Sequence, residues 1–222
     1  MTRRLLSALA VAALAGCTNT VEMESGEIKA LKLIKRELDA AGRPAAYFDA
    51  RKLVTRDMLD AADIPVLFVA IERGQNGTLT QFPGVGVGQT WLGVDGSTVT
   101  LAGGILKATR GVGDDLMGSE MSREFNWKDI DPAPYTRSMA YLREDNQMRI
   151  HDYVCEMSDT GQLERLEIFD APFTAWLFRE TCEGSPGGFT NDYYVDAVGI
   201  VRKSRQYHGE KIGYMTLERL DR

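Results

Sequence analysis

Residues 87–116, VGQTWLGVDGSTVTLAGGILKATRGVGDDL, constrain the fold more than any other stretch of this chain. From Gln89 to Val94 polar and apolar side chains alternate, the period of a strand with one buried face. Asp95-Gly96 follows, a dipeptide that supplies the positive φ of a two-residue hairpin turn. Residues 97–101, STVTL, return with β-branched side chains in period two. Gly103-Gly104 reverses the chain again, and Ile105 to Arg110 makes a third strand. Short strands joined by Gly-rich turns argue for an antiparallel sheet, not βαβ units, and place this stretch as a central meander. Gly84, Gly86 and Gly88 stand just before its first strand. A phosphate-binding loop needs a strand before such a run and a helix after it. A strand pattern follows here, so the run reads as an inter-strand loop.

The rest of the chain is mostly of the same kind. Residues 66–72, VLFVAIE, are an apolar run bounded by Pro65 and Gly74, the pattern of a buried strand. Residues 77–82 pair with it across a turn containing Asn76-Gly77. Strand patterns recur over 135–144, 148–157, 163–169, 189–195 and 200–207, and residues 211–220 end the chain. Residues 173–182 read as strand or helix, and 113–122 as a polar break. Before the sheet, Ile28, Leu31, Leu33, Ile34 and Leu38 predict an amphipathic helix over 27–41, stopped by Gly42-Arg43-Pro44. Thr55 is placed to cap a short second helix ending near Ala62. The expected fold class is mainly β: antiparallel curved sheets, barrel-like or sandwich-like, with one or two short N-terminal helices. A length of 222 residues suits one such domain, spanning 27–222.

The first residues read as an address. Arg3-Arg4 is a positive n-region, residues 5–14 an apolar run too short to span a bilayer, and small residues lead to Cys17. Leu14-Ala15-Gly16-Cys17 resembles the bacterial lipobox. The resemblance implies a signal peptide over 1–16, a lipid on Cys17 as the mature terminus, and a polar tether over 17–26. The alternative is an ordinary cleaved signal that contains a cysteine. Two or more acyl chains anchor a protein stably, where one holds it marginally. Thr18, in place of an Asp, favours the outer membrane by analogy with enterobacterial sorting.

Charge and motif content exclude several functions. Without Arg3 and Arg4 the 26 basic residues fall to 24, against 32 acidic, a balance of −8. Nucleic acid is therefore not the expected partner, since phosphate neutralisation needs clustered Lys and Arg. Asp114-Asp115 reads as a solvated loop, because no His or further acid stands at ligand spacing; no metal or cofactor is expected. No Gly-X-Ser-X-Gly elbow, His-Glu-X-X-His or Cys-X-X-Cys occurs, and no catalytic residues are assigned. With Cys17 lipidated, Cys155 and Cys182 remain as a pair in an oxidising compartment, where a disulfide is expected. Two buried thiols, or a nucleophilic cysteine beside His151, are the alternatives. Trp91, Trp127, Trp176 and Tyr194 are the candidates for stacking on sugar rings, with core packing the competing role for Trp91.

Several features together resemble the YjbF/GfcB family of lipoproteins, associated with group 4 capsule and exopolysaccharide operons. They are the lipobox at Cys17, Gln89-Thr90-Trp91 before Asp95-Gly96, Gly104-Ile105-Leu106 with Thr109-Arg110-Gly111, and Asp115-Leu116-Met117. The cysteines at 155 and 182 and the ending Phe189-Thr190-Asn191, Tyr194-Val195-Asp196, Ser204-Arg205-Gln206, Gly209 and Gly213 complete the pattern over roughly 65–220. Tyr194 stands where the family favours Trp, and Glu210 where Pro is common. The resemblance implies a curved, barrel-like antiparallel fold and a role in making or exporting surface polysaccharide. The expected protein is a non-enzymatic accessory on the periplasmic face of the outer membrane, in contact with a glycan or an envelope partner protein. A periplasmic polysaccharide hydrolase or lyase is the alternative.

Overall fold

A computed structural model describes residues 49–222 except 73, 84–87, 143, 144 and 146. The expected leader, Cys17, the tether, the helix over 27–41 and most of the Gly84–Gly88 run lie outside the described residues. Two short helices come first. Asp49 caps α1 (Ala50–Leu53) by accepting from the Arg51 N–H, and Thr55 caps α2 (Arg56–Ala62) through the Met58 N–H. Asn76 belongs to a strand rather than a turn. Its side chain accepts from the Ala50 N–H at 2.7 Å and donates to Asp49 at 3.1 Å, pinning the start of α1.

Twelve strands follow among the described residues, all in one antiparallel sheet. The first five are β1 (Val66–Ile71), β2 (Asn76–Phe82), β3 (Gln89–Gly93), β4 (Thr98–Ala102) and β5 (Ile105–Arg110). After a turn come β6 (Leu116–Met121), β7 (Tyr135–Leu142), β8 (Met148–Ile168) and β9 (Ala171–Gly184). The last three are β10 (Phe189–Val195), β11 (Val201–Gly209) and β12 (Gly213–Arg219). The spatial order is β5-β4-β3-β2-β1-β12-β11-β10-β9-β8-β7-β6. Each strand lies beside its sequence neighbour except where β1 meets β12, Leu67 opposite Arg219 and Ile71 opposite Met215. The result is an up-and-down meander curled into a nearly closed barrel. Its end strands, β5 and β6, meet at a seam closed by side chains. Thr109 Oγ1 accepts from the Leu116 N–H at 3.1 Å, and Arg110 donates to the carbonyls of Leu116 at 3.1 Å and Met117 at 3.3 Å.

Several expectations are corrected. The meander of β3, β4 and β5 stands at one end of the strand order, not at its centre. The polar break over 113–122 contains β6, whose Gly118, Ser119 and Glu120 hide the strand period. Only the turn before it is irregular, where Asp115 accepts from the N–H groups of Gly111 at 2.9 Å and Val112 at 3.0 Å. The two strands read over 148–157 and 163–169 are one strand of 21 residues. A register shift between Asp159 and Leu163, around Gly161 at φ 70°, interrupts its pattern. Residues 173–182 are strand.

The continuous apolar run of β1 is explained by burial on both faces. Leu67 and Val69 point into the barrel, while Val66 and Phe68 pack outside it with Leu166, Ile168, Phe169 and Leu220. Helices α1 and α2 cover this outer cluster. Arg56 ties α2 down by donating to the carbonyls of Ile168 at 3.1 Å, Phe169 at 3.0 Å and Leu220 at 2.8 Å. Inside, Trp91, Leu106, Met139, Met157, Tyr193 and Met215 fill the lumen. Each such side chain contributes roughly 1.5–3 kcal/mol by leaving water.

A charged pair sits in that interior. Arg137 and Glu180 are both fully buried, with Nη1 to the two carboxylate oxygens at 2.9 and 2.7 Å. Glu180 also accepts from Tyr135 at 2.6 Å, Asn191 at 2.6 Å and Tyr193 at 2.8 Å. Arg137 donates further to Ser119 Oγ at 3.0 Å and the Leu106 carbonyl at 3.3 Å. Burial works against the Glu180 charge, but Arg137 and the three donors outweigh it and hold the carboxyl below its usual range. Beside the pair, Cys155 and Cys182 lie directly opposite on β8 and β9 and form a disulfide, Cα atoms 4.0 Å apart.

Two outcomes follow for stability. Glu180→Ala strands a buried guanidinium and should lower unfolding free energy by about 3–5 kcal/mol in urea titration. The double substitution Arg137→Met with Glu180→Leu should recover most of that loss. Replacing both cysteines by Ala releases a loop of 27 positions. That should cost about 3 kcal/mol, or a melting point lower by about 6–12 °C in calorimetry.

Candidate functional site: a tyrosine-lined cleft at one mouth of the barrel

Strand alternation sends Tyr135, Arg137, Met139 and Tyr141 of β7, and Tyr153, Cys155 and Met157 of β8, into the barrel. The last of these positions come out at one mouth, where a cleft of about 500 Å³ opens. Its walls are aromatic: Tyr141, His151, Tyr153 and, from the end of β11, Tyr207. Its rim carries the acids Asp114, Asp145 and Glu210 and the bases Arg149 and Lys211. The rings form a continuous run. Tyr141 meets His151 edge-on at 5.6 Å, His151 stacks with Tyr153 at 6.5 Å, and Tyr153 meets Phe189 edge-on at 4.9 Å. Phe189 stacks with Tyr207 at 4.8 Å. Tyr141 is fixed by donating to the His208 carbonyl at 2.6 Å, and it can lie against β11 because Gly209 has no side chain.

The cleft is a place of donors and carboxylates. Burial pushes the Tyr153 hydroxyl up to about 12, with Tyr207 and Glu210 adding to the effect. Burial also raises Tyr207, again with Glu210 contributing. Both hydroxyls therefore stay protonated at neutral pH. Lys211 Nζ lies 3.4 Å from Asp114 Oδ1. Behind the wall, His208 of β11 is fully buried and its Nε2 lies 2.9 Å from Thr109 Oγ1 of β5. Burial pushes this imidazole down to about 4, against the pull of Asp115 and Asp114, so it is neutral at pH 7. A smaller cleft, about 290 Å³, opens at the other end between Leu67, Leu101, Gly104, Val201 and Arg219.

The aromatic residues singled out from the sequence do not gather in one place. Trp91 is wholly buried, 5.6 Å beneath the Arg219 guanidinium. Trp127 is buried between Phe178 and Tyr193, its indole N–H donating to the Gly103 carbonyl at 2.8 Å. Both are core residues with no ring face open to a sugar. Trp176 is 38% exposed on β9 opposite Leu163, and Tyr194 is half-buried against the outer cluster. None of the four lines the tyrosine cleft. The missed signal was the period-two spacing of Tyr135, Tyr141, His151 and Tyr153; its meeting with Tyr207 had no local signature. Cys155, Glu180 and Cys182 do bring ligand atoms together. The sulfurs are bonded to each other and the carboxylate is engaged by Arg137, so that set does not offer a metal site.

The fold is thus a meander barrel plugged by its own side chains, with an aromatic, charged cleft at one mouth. The sequence model of the family described as "Group 4 capsule polysaccharide lipoprotein gfcB, YjbF" matches residues 33–220. The chain belongs to this family. No curated protein matches it. Among solved structures, the crystal structure of the hypothetical lipoprotein YmcC from Escherichia coli (K12) is similar, with a TM-score of 0.73 and 20% identity. The likeness covers 90% of this chain and 97% of that one, and it is a likeness of fold.

His208 supplies a pH prediction. Between its folded value of about 4 and an ordinary value of about 6.5, the unfolded chain binds more protons than the native one. Unfolding free energy should therefore fall by up to about 3 kcal/mol as pH drops through that window. Urea midpoints measured across it should show a shallower slope for His208→Asn than for the natural chain.

Proposed function

We propose that this protein is an outer-membrane lipoprotein, held at the periplasmic face by a lipid on Cys17. It serves capsule or exopolysaccharide production or secretion without catalysing a reaction, by contact with a glycan or an envelope partner protein. The observation that carries this reading is the family match over residues 33–220, which takes in every described strand. The lipobox-like Leu14-Ala15-Gly16-Cys17 and the description of YmcC as a lipoprotein support lipid attachment. The cleft supports contact. Its walls offer aromatic rings and protonated hydroxyls, and the buried carboxylate of Glu180 is locked to Arg137 in the interior, outside the cleft.

Deleting the gene should reduce surface polysaccharide, and the natural gene should restore it. Cys17→Ser should leave the protein in the soluble fraction and fail to restore. Purified protein should not shorten the polysaccharide. Unchanged surface polysaccharide in the deletion strain would overturn the reading, and chain shortening would favour the hydrolase or lyase.

A further inference from the structure

We propose that the tyrosine-lined cleft binds a short segment of uncharged sugar chain, with Glu210 and Tyr207 as the residues that hold it. This rests on the reading of the protein as an accessory that works by contact, and narrows it to one ligand class at one place. A pyranose offers two chemistries: a face of C–H bonds that packs on an aromatic ring, and hydroxyls that donate to carboxylates and accept from O–H or N–H groups. The cleft supplies both. Tyr207 and Tyr153 present rings braced from behind by Phe189, so neither needs ordering when a ligand arrives. Their hydroxyls are protonated and act as donors or acceptors.

Glu210 follows Gly209 in the turn between β11 and β12, where its charge acts on the hydroxyls of both Tyr153 and Tyr207. A carboxylate and aromatic rings lining one cleft are the pairing that a sugar's hydroxyl edge and apolar face require. The volume, about 500 Å³, lies in the range of small-ligand sites, roughly 300–1,000 Å³. That is room for a short segment and not for a folded partner domain.

Charge decides between neutral and acidic chains. Among the described residues the rim has three acids, Asp114, Asp145 and Glu210, against Arg149 and Lys211. Lys211 is paired with Asp114 at 3.4 Å. A chain of uronic acids would bring its carboxylates against an acidic rim, whereas hydroxyls meet those same groups as donors.

The test is saturation-transfer NMR on the full mature protein, using neutral tetrasaccharides of glucose, galactose and mannose and, as the charged counterpart, tetragalacturonate. At least one neutral probe should bind, and more tightly than tetragalacturonate. Glu210→Gln should weaken that binding about tenfold, the loss of one hydrogen bond to a charged group, with an unchanged melting curve. Tyr207→Ala should abolish it. Absence of transfer to every neutral probe, tighter binding of tetragalacturonate, or indifference to Glu210→Gln would overturn the proposal. If the sugar test fails while gene deletion still removes polysaccharide, the proposal falls and the accessory role stands, with an envelope protein as the contact. If the deletion has no effect, the accessory role falls by itself.

Discussion

The buried pair of Arg137 and Glu180 is the interaction on which the barrel's interior depends. A twelve-stranded ring of ordinary proportions would enclose water, because barrel diameter grows with strand number. Here the lumen is filled, and its centre is polar. Through Arg137, Glu180 and their partners, β7 and β9 are joined to Leu106 of β5, Ser119 of β6 and Asn191 and Tyr193 of β10. Gln206 extends the network to β11, accepting from the Leu106 N–H at 2.7 Å and donating to the Gly104 carbonyl at 2.8 Å. Bonds that cross the lumen hold opposite walls at fixed separation, which hydrogen-bonded ladders between neighbours do not do.

The same network accounts for the seam. β5 and β6 end the strand order and expose ladder groups that would otherwise invite another strand. Side chains occupy those groups instead: Arg110, Thr109, Gln206 and Arg137 take up backbone positions on one or both strands. These side chains cap part of each edge without strand pairing. His208 stands at this junction in its neutral form, linked to Thr109, and its carbonyl holds Tyr141 at the cleft wall. Closure of the barrel and shape of the cleft are thus coupled through β11.

Much of this was legible in the chain. Period-two patterning placed β3, β4 and β5 with their turns, because each hairpin is a local structure whose Gly residues declare it. Thr55 marked the start of α2, and the apolar run at 66–72 declared a buried strand. Cys155 and Cys182 were an expected pair, and register sets them directly opposite. Where the local signal failed, the reason is specific. β6 is polar and interrupted by Gly118, and β8 carries a shift around Gly161 that cut one strand into two apparent ones. The tryptophans looked like sugar platforms because residue type alone does not say which way a strand residue faces.

The sequence by itself determined the class of fold, the strand-and-turn alphabet, the cysteine pair and the family, since these are written in spacing along the chain. Only the tertiary structure decided that one sheet curls on itself, that Arg137 finds Glu180, and that Tyr141, Tyr153 and Tyr207 share a cleft. Those contacts join residues tens of positions apart, and their partners are chosen by strand order and register. Register is a property of the closed sheet, which no window of sequence contains.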